Sequence, residues 1–218
     1  MSAAASSHRV CLFGLGGIGA ATARRLMSLP GWTITGAIDT DPRKAGRDLR
    51  SLLRLKGRSG LVISDDPAAA LSRCRAEVVI HSTGSRLTEV APQLEMILDS
   101  GRHCVTSCEE MASPSFADPA TARRLDRLAR RRRVALLGAG VNPGFAMDAL
   151  AVALAGASVS ISQISLERVL DPLTRRKPFQ RKVGRDIGEA VRQLDKLGRH
   201  PIRLDRPGNL LQFHRNWL

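Results

Sequence analysis

The sequence predicts an α/β fold, a doubly wound parallel sheet followed by an incomplete α+β second domain. Three observations predict it. A short apolar run, RVCLF, leads into a glycine turn, GLGGIG, and then into a helical stretch, AATARRLMSL. Apolar strand candidates then alternate with amphipathic helices as far as Leu137, the order expected of parallel βαβ units. After Phe145 an apolar helix is followed by a polar–apolar alternation, as in a half-exposed strand of an antiparallel sheet. The expected domains are 1–144 and 145–218, with an atypical tail from about 188.

The first unit carries the strongest signal. Gly14, Gly16 and Gly19 have G-x-G-x-x-G spacing between a strand and a helix, and Asp39 ends the next strand twenty residues beyond Gly19. In a Rossmann-type fold the first glycine makes the tight turn, the second admits a pyrophosphate, and the third lets helix and sheet approach. The helix beginning near Ile18 would offer its unpaired N–H groups to the phosphates. Gly14, Gly16, Gly17, Ile18 and Gly19 are therefore the expected cofactor-binding positions. Asp39 could accept the adenosine ribose hydroxyls, which favours NAD. Arg43 and Lys44 follow at once and could hold the extra phosphate of NADP, so the choice between the two stays open.

The remaining elements follow in order. DPRKAGRDLRSLLRLKG reads as a charged loop and helix, and GLVIS (60–64) as a short strand. Pro67 behind an acidic cap starts a helix through DDPAAALSRC. AEVVIH (76–81) is a buried strand ending in STGSR. LTEVAPQLEMILDSG is amphipathic and stops at Gly101, a favoured position for a helix to end. His103 to Thr106 is a strand leading to SCEEM, 119–133 is a helix, and 134–137 is a strand leading to GAGVNPGF. That makes about six strands. AMDALAVALAG is a helix, and 158–170 is a strand with a bulge near Gln163. DPLTRRKPFQRKVG is a basic loop, and the tail has no clear period.

Bulk properties narrow the function classes. The 218 residues carry a formal net charge of +14, yet only 3% are aromatic and none is Tyr. The basic residues are mostly Arg, spread along the chain without aromatics to stack bases, which weighs against nucleic acid as partner. The four cysteines show no Cys-x-x-Cys pair and no histidine at metal spacing, so no metal site is expected. No stretch approaches the ~18 apolar residues of a membrane helix, and MSAAASSHR does not read as a secretory signal. A cytoplasmic chain with buried, reduced thiols is expected.

Taken together, FGLGGIG, GAIDTDPRKAGRDL, HSTGSRLTEVAPQLE, VTSCEEMASP, LLGAGVNPGFAMD and LERVLDPLTRRKPFQRKVG resemble the 2,4-diaminopentanoate dehydrogenase group. That group lies within the dihydrodipicolinate-reductase-like NAD(P)-dependent oxidoreductases. The stretches run in order over roughly residues 9–187. Homoserine dehydrogenases place a lysine where this chain has Cys108, Glu109 and Glu110, which points to the amine dehydrogenases instead. The resemblance implies oxidative deamination of a small diamino acid, with hydride transfer to NAD or NADP. Family members are longer, and their second domain carries more sheet. The tail from about 188 departs from the pattern, so a truncated dinucleotide-binding protein without turnover is one alternative reading. A dihydrodipicolinate-reductase-like imine reductase is another.

The implied roles fall on the strand ends. Ser82, Thr83 and Gly84 would line the nicotinamide half of the cofactor. Glu109 or Glu110 would be the base or ammonium anchor, since a partly buried carboxylate can have its pKa raised into a useful range. They could equally be an acid pair at a helix start. Asn142 could bind substrate or nicotinamide, or simply form a turn with Gly144. His81 reads as a strand residue in a local hydrogen bond. Arg175, Arg176, Arg181 and Lys182 could clamp a carboxylate. The expected partners are a small amino-acid or amine substrate and, if the second domain is complete, further copies of the chain.

Overall fold

The computed structural model describes residues 8–170 and the strand at 211–217. The chain divides into two compact units, Met1–Gly144 and Phe145–Leu218.

The first unit is a five-stranded parallel sheet. Its strands are β1 (His8–Phe13), β2 (Trp32–Ile38), β3 (Val78–His81), β4 (His103–Thr106) and β5 (Leu136–Gly138), in the order β2-β1-β3-β4-β5. The main helices are α1 (Gly17–Met27), α2 (Leu49–Leu52), α3 (Pro67–Arg73), α4 (Leu87–Asp99), α5 (Pro114–Ala117) and α6 (Pro119–Arg132). β1 shows why the sheet is covered on both faces. Its side chains alternate, so Cys11 and Phe13 enter one core cluster with Leu94 and Leu125, while Val10 and Leu12 enter the other with Ala23 and Leu26. All four cysteines are free and buried. Burial pushes the Cys104 thiol up to about 12.

Acidic caps open two of the helices, the one at Pro67 as the sequence predicts. Asp66 accepts from Ala69 N–H ahead of Pro67, and Asp118 accepts from Ala120 and Thr121 N–H ahead of Pro119. The reversal of strand order falls between β1 and β3. The carboxyl ends of β1 and β3 lie beside the glycine turn, and in sheets of this kind ligands bind outside the strand ends at such a reversal.

The structure corrects four expectations. Residues 60–64 form no full strand: Ser64 makes one parallel bridge with Ile38, and Val62 one antiparallel bridge with Asp48. The segment bonds mainly to the preceding loop, with Ile63 N–H donating to Arg47 O and Leu49 N–H to Leu61 O. The sheet therefore has five strands, not six. The helix expected after Asp39 shrinks to α2, because the Asp48 carboxylate gathers N–H groups from Arg50, Ser51, Ser59 and Gly60 and ties the segment into a loop.

In the second unit, a wide turn over Phe145–Ala149 leads into α7 (Leu150–Ala155). The strand expected over 158–170 is confined to β6 (Ile164–Leu170). It pairs antiparallel with β7 (Leu211–Trp217), and the register sets Ile164 opposite Trp217. The tail, in which no period was legible, thus supplies a strand. Strand pairing depends on a partner more than forty residues away, which local pattern does not report. The basic segment with Arg175, Arg176, Arg181 and Lys182 lies outside the described residues.

Candidate functional site

The glycine turn shows three different reasons for glycine. Gly14 has φ +93°, and a Cβ there would stand 2.7 Å from Ser82 O. Gly19 lies in the first turn of α1 against the glycine turn, and a Cβ there would stand 1.9 Å from Gly14 O. Both are required by the fold itself. Gly16 is different. It caps α1 with ordinary extended backbone, φ −69°, it is exposed, and nothing lies within 4 Å of where its Cβ would be. Among the described residues no contact calls for glycine at this position. Gly17 and Ile18 are exposed beside it, and no side chain caps the first turn of α1. This is a bare cradle at a helix N-terminus, the form that accepts a phosphate.

Asp39 stands at the end of β2, buried at 8% exposure. Its Oδ2 accepts Leu15 N–H at 2.8 Å and the Lys44 ammonium at 2.7 Å, and its Oδ1 accepts Asp41 N–H at 3.0 Å. The acid is therefore tied directly to the glycine turn. Arg43 is held elsewhere: its Nε and Nη2 donate to the two oxygens of Asp41 at 2.9 and 2.8 Å. The Arg43 guanidinium keeps the Asp41 carboxyl far below the usual carboxylate range.

The β3 end meets the same turn. Ser82 N–H donates to Phe13 O at 2.7 Å, and the Ser82 hydroxyl donates to Gly14 O at 2.8 Å. Gly84 packs tightly, since a Cβ there would meet Val90 at 2.9 Å. Beneath this turn lies a polar chain that sequence reading missed in part. His81 is fully buried, with Nδ1 2.8 Å from Thr106 Oγ1 and Nε2 2.7 Å from Gln93 Oε1. Thr83 Oγ1 lies 2.8 Å from His81 Nε2 and donates to Gln93 Oε1 at 2.5 Å. Gln93 Oε1 can only accept, so Nε2 carries the proton and Nδ1 accepts from the Thr106 hydroxyl. Thr106 Oγ1 in turn accepts Cys108 N–H at 3.1 Å. Burial lowers the His81 pKa, offset in part by Gln93. A neutral imidazole thus links the ends of β3 and β4 to α4. Gln93 sits midway along α4, and nothing in its spacing marks it as a partner of His81.

The two glutamates separate. Glu110 Oε2 accepts Leu87 N–H at 2.6 Å, at the head of α4, where Arg86 provides no side-chain cap. Glu110 therefore serves as a helix cap supplied from another element. Glu109 is exposed, and its Oε1 accepts the Ser85 hydroxyl at 3.2 Å. Asn142 is half-buried in the turn after β5, with Gly144 at φ +125° two residues on. The strand order sets that turn two strands from the end of β3.

Among the described residues no group of three or more His, Cys, Asp or Glu could hold a metal ion. Among the same residues no helix is long and apolar enough to cross a membrane.

No protein-family model matches the chain. It is 28% identical over 161 residues to a 2,4-diaminopentanoate dehydrogenase of Acetoanaerobium sticklandii, covering 74% of this chain and 46% of that protein. It is 28% identical over 174 residues to an amine dehydrogenase of Streptomyces virginiae, covering 77% and 47%. The chain thus spans about half the length of the curated relatives it matches. Its fold is shared by a solved amine dehydrogenase of Mycobacterium smegmatis, with a TM-score of 0.71 and 23% identity over 97% of this chain and 75% of that one. These comparisons bear out the resemblance read from the motifs and the Rossmann-type fold.

Proposed function

We propose that this chain is an NAD(P)-dependent oxidoreductase that deaminates a small diamino acid of the 2,4-diaminopentanoate kind. The observation that carries the reading is Gly16, a glycine with ordinary backbone, open space around it and an uncapped helix start beside it. A ligand phosphate lying against its backbone gives that glycine a reason, and Asp39, fastened to the same turn through Leu15 N–H, gives the ligand a ribose anchor. The donor set fits a dinucleotide.

The bound nicotinamide would accept a hydride from the substrate carbon that carries nitrogen. The overall change is CH–NH₃⁺ plus NAD(P)⁺ plus water to C=O plus NAD(P)H plus NH₄⁺ plus H⁺. Glu109 is the better placed of the two glutamates to hold the substrate ammonium and take up a proton, because Glu110 is committed to Leu87 N–H. Ser82, Thr83 and Gly84 would border the reacting end, held by the Ser82–Gly14 bond and by the Thr83–Gln93–His81 chain. Asn142 would hydrogen-bond the substrate. The names of the two curated relatives support an amine as the donor.

The test is two-stage. Calorimetric titration of the folded chain with NAD⁺ and NADP⁺ comes first, and binding of either in the micromolar-to-millimolar range, ~4–8 kcal/mol, is expected. Dinucleotide reduction with a panel of diamino acids comes second, read as the absorbance of NAD(P)H. Binding without amine-dependent reduction would overturn the turnover claim and leave a dinucleotide-binding protein. No binding by a folded sample would sink the whole reading.

A further inference from the structure

We infer that Lys44 sets the cofactor class: its ion pair with Asp39 lets one site take both NAD⁺ and NADP⁺, with Lys44 rather than Arg43 as the ligand of the 2′-phosphate. The inference rests on the dinucleotide reading above and concerns the adenosine end of that site.

A bare carboxylate at the end of β2 accepts ribose hydroxyls and repels a phosphate placed on one of them. Asp39 is not bare. Lys44 Nζ stands 2.7 Å from Oδ2, and the Lys44 side chain is 23% exposed beside an Asp39 side chain at 10%. The pair cancels the charge that would reject the phosphate. Lone-pair accounting leaves room for the ribose as well. Oδ2 has both of its acceptor positions used, by Leu15 N–H and Lys44, whereas Oδ1 has one used, by Asp41 N–H. Oδ1 can therefore still accept one ribose hydroxyl of either dinucleotide.

Arg43 is the less available cation. It is exposed, but its fork is closed on Asp41, through Nε to one oxygen and Nη2 to the other, and its own N–H also binds Asp41. To meet a phosphate it must open that two-point pair. Lys44 need only rotate a flexible stem, and its three ammonium protons can bridge Asp39 and a phosphate together. A second carboxylate, Asp41 Oδ2, lies 3.8 Å from Lys44 Nζ. The four side chains 39, 41, 43 and 44 thus sum to zero formal charge.

The experiment is calorimetric titration of NAD⁺ and NADP⁺ into the full chain, Lys44→Met and Arg43→Ala, at one fixed salt, with melting curves to show each is folded. The full chain is expected to bind both dinucleotides within ~10-fold of each other. Losing one charge-assisted contact should weaken NADP⁺ by ~10- to 100-fold in Lys44→Met. The same variant should hold NAD⁺ within about threefold, and Arg43→Ala should move neither by more than about threefold. NADP⁺ binding to the full chain should also fall more steeply with added salt than NAD⁺ binding, a readout that needs no variant. The inference is overturned if Lys44→Met keeps its NADP⁺ affinity, if Arg43→Ala alone removes it, or if the full chain binds NAD⁺ but rejects NADP⁺ by more than about 100-fold. In each of those cases the dinucleotide reading survives. If the folded full chain binds neither, both fall.

Discussion

Gly16 and Gly19 lie in one turn, and substituting each with alanine should separate the cofactor from the fold. In Gly19→Ala the new Cβ would stand 1.9 Å from Gly14 O, about 1.5 Å inside the 3.4 Å at which ordinary contact begins. The obstacle is backbone, so it cannot swing aside, and Gly14 is itself fixed by φ +93° and by the Ser82 hydroxyl on its carbonyl. Overpacking of this kind costs ~1–3 kcal/mol, and the rigid partner argues for the upper end. At ~2–4 °C per kcal/mol for a chain of this size, the melting temperature should fall by ~6–12 °C. Gly16→Ala meets nothing within 4 Å, and its φ of −69° suits any residue. Its melting temperature should stay level or rise by as much as ~3 °C, since alanine restricts the unfolded chain. Its NAD(P)⁺ affinity should nevertheless fall by more than ~10-fold, because a methyl group would occupy the approach to the turn. Differential scanning calorimetry and titration calorimetry on the same three samples read both effects. A Gly16→Ala chain that binds like the parent would refute the cradle argument. A Gly19→Ala chain that melts like the parent would refute the packing argument.

Four further outcomes follow from single side chains. His81 is kept neutral by burial, so its folded pKa lies below the unfolded value. Its contribution is fully present above about pH 6.5 and is lost as the pH falls below that, by at most ~1.4 kcal/mol per pH unit. Urea midpoints from pH 8 to 5 should show this slope in the parent and lack it in His81→Gln. Glu109→Gln should lower turnover by ~10²–10⁴-fold with an unchanged melting temperature. Glu110→Ala should instead destabilise by ~1–3 kcal/mol by leaving Leu87 N–H unpaired, so a swap of those two phenotypes would reverse the assignment. Burial alone would raise the Asp48 pKa, but the bonds it accepts from Ser59, Ser51 and Gly60 outweigh that and hold it low. Its stabilising effect is present above about pH 4 and lost as the pH falls below. The acid limb of unfolding should therefore be shallower in Asp48→Asn, and an identical limb would contradict the argument.

The first unit was legible because its rules are local. Strand, glycine turn and helix follow one another within twenty residues, and Pro67 and Pro119 announce helix starts whose acidic caps are adjacent in sequence. Apolar runs at β1, β3 and β4 mark strands buried on both faces. The same locality explains the misses. Residues 60–64 have the composition of a strand, but most of their backbone bonds go to the loop at 46–49 and only Ser64 pairs with β2. β7 could not be read from the tail, because what makes it a strand is β6, on the far side of the basic segment.

At the site, sequence alone determined which residues stand at the strand ends. Gly14, Gly16, Gly19, Asp39, Ser82, Glu109 and Asn142 follow from motif and spacing, because a parallel sheet brings all its carboxyl ends to one edge. Tertiary structure decided what each of them is free to do. It gave Glu110 to the head of α4 and left Glu109 exposed, although the two are adjacent in sequence. It closed Arg43 onto Asp41 and set Lys44 on Asp39, although the two cations are adjacent in sequence. It turned His81 inward to Thr106 and Gln93, partners 25 and 12 residues away. The physical reason is that a hydrogen bond is decided by distances of a few tenths of an ångström between groups far apart in the chain. Periodicity and spacing carry the direction in which a side chain leaves the backbone, and packing alone carries what it meets.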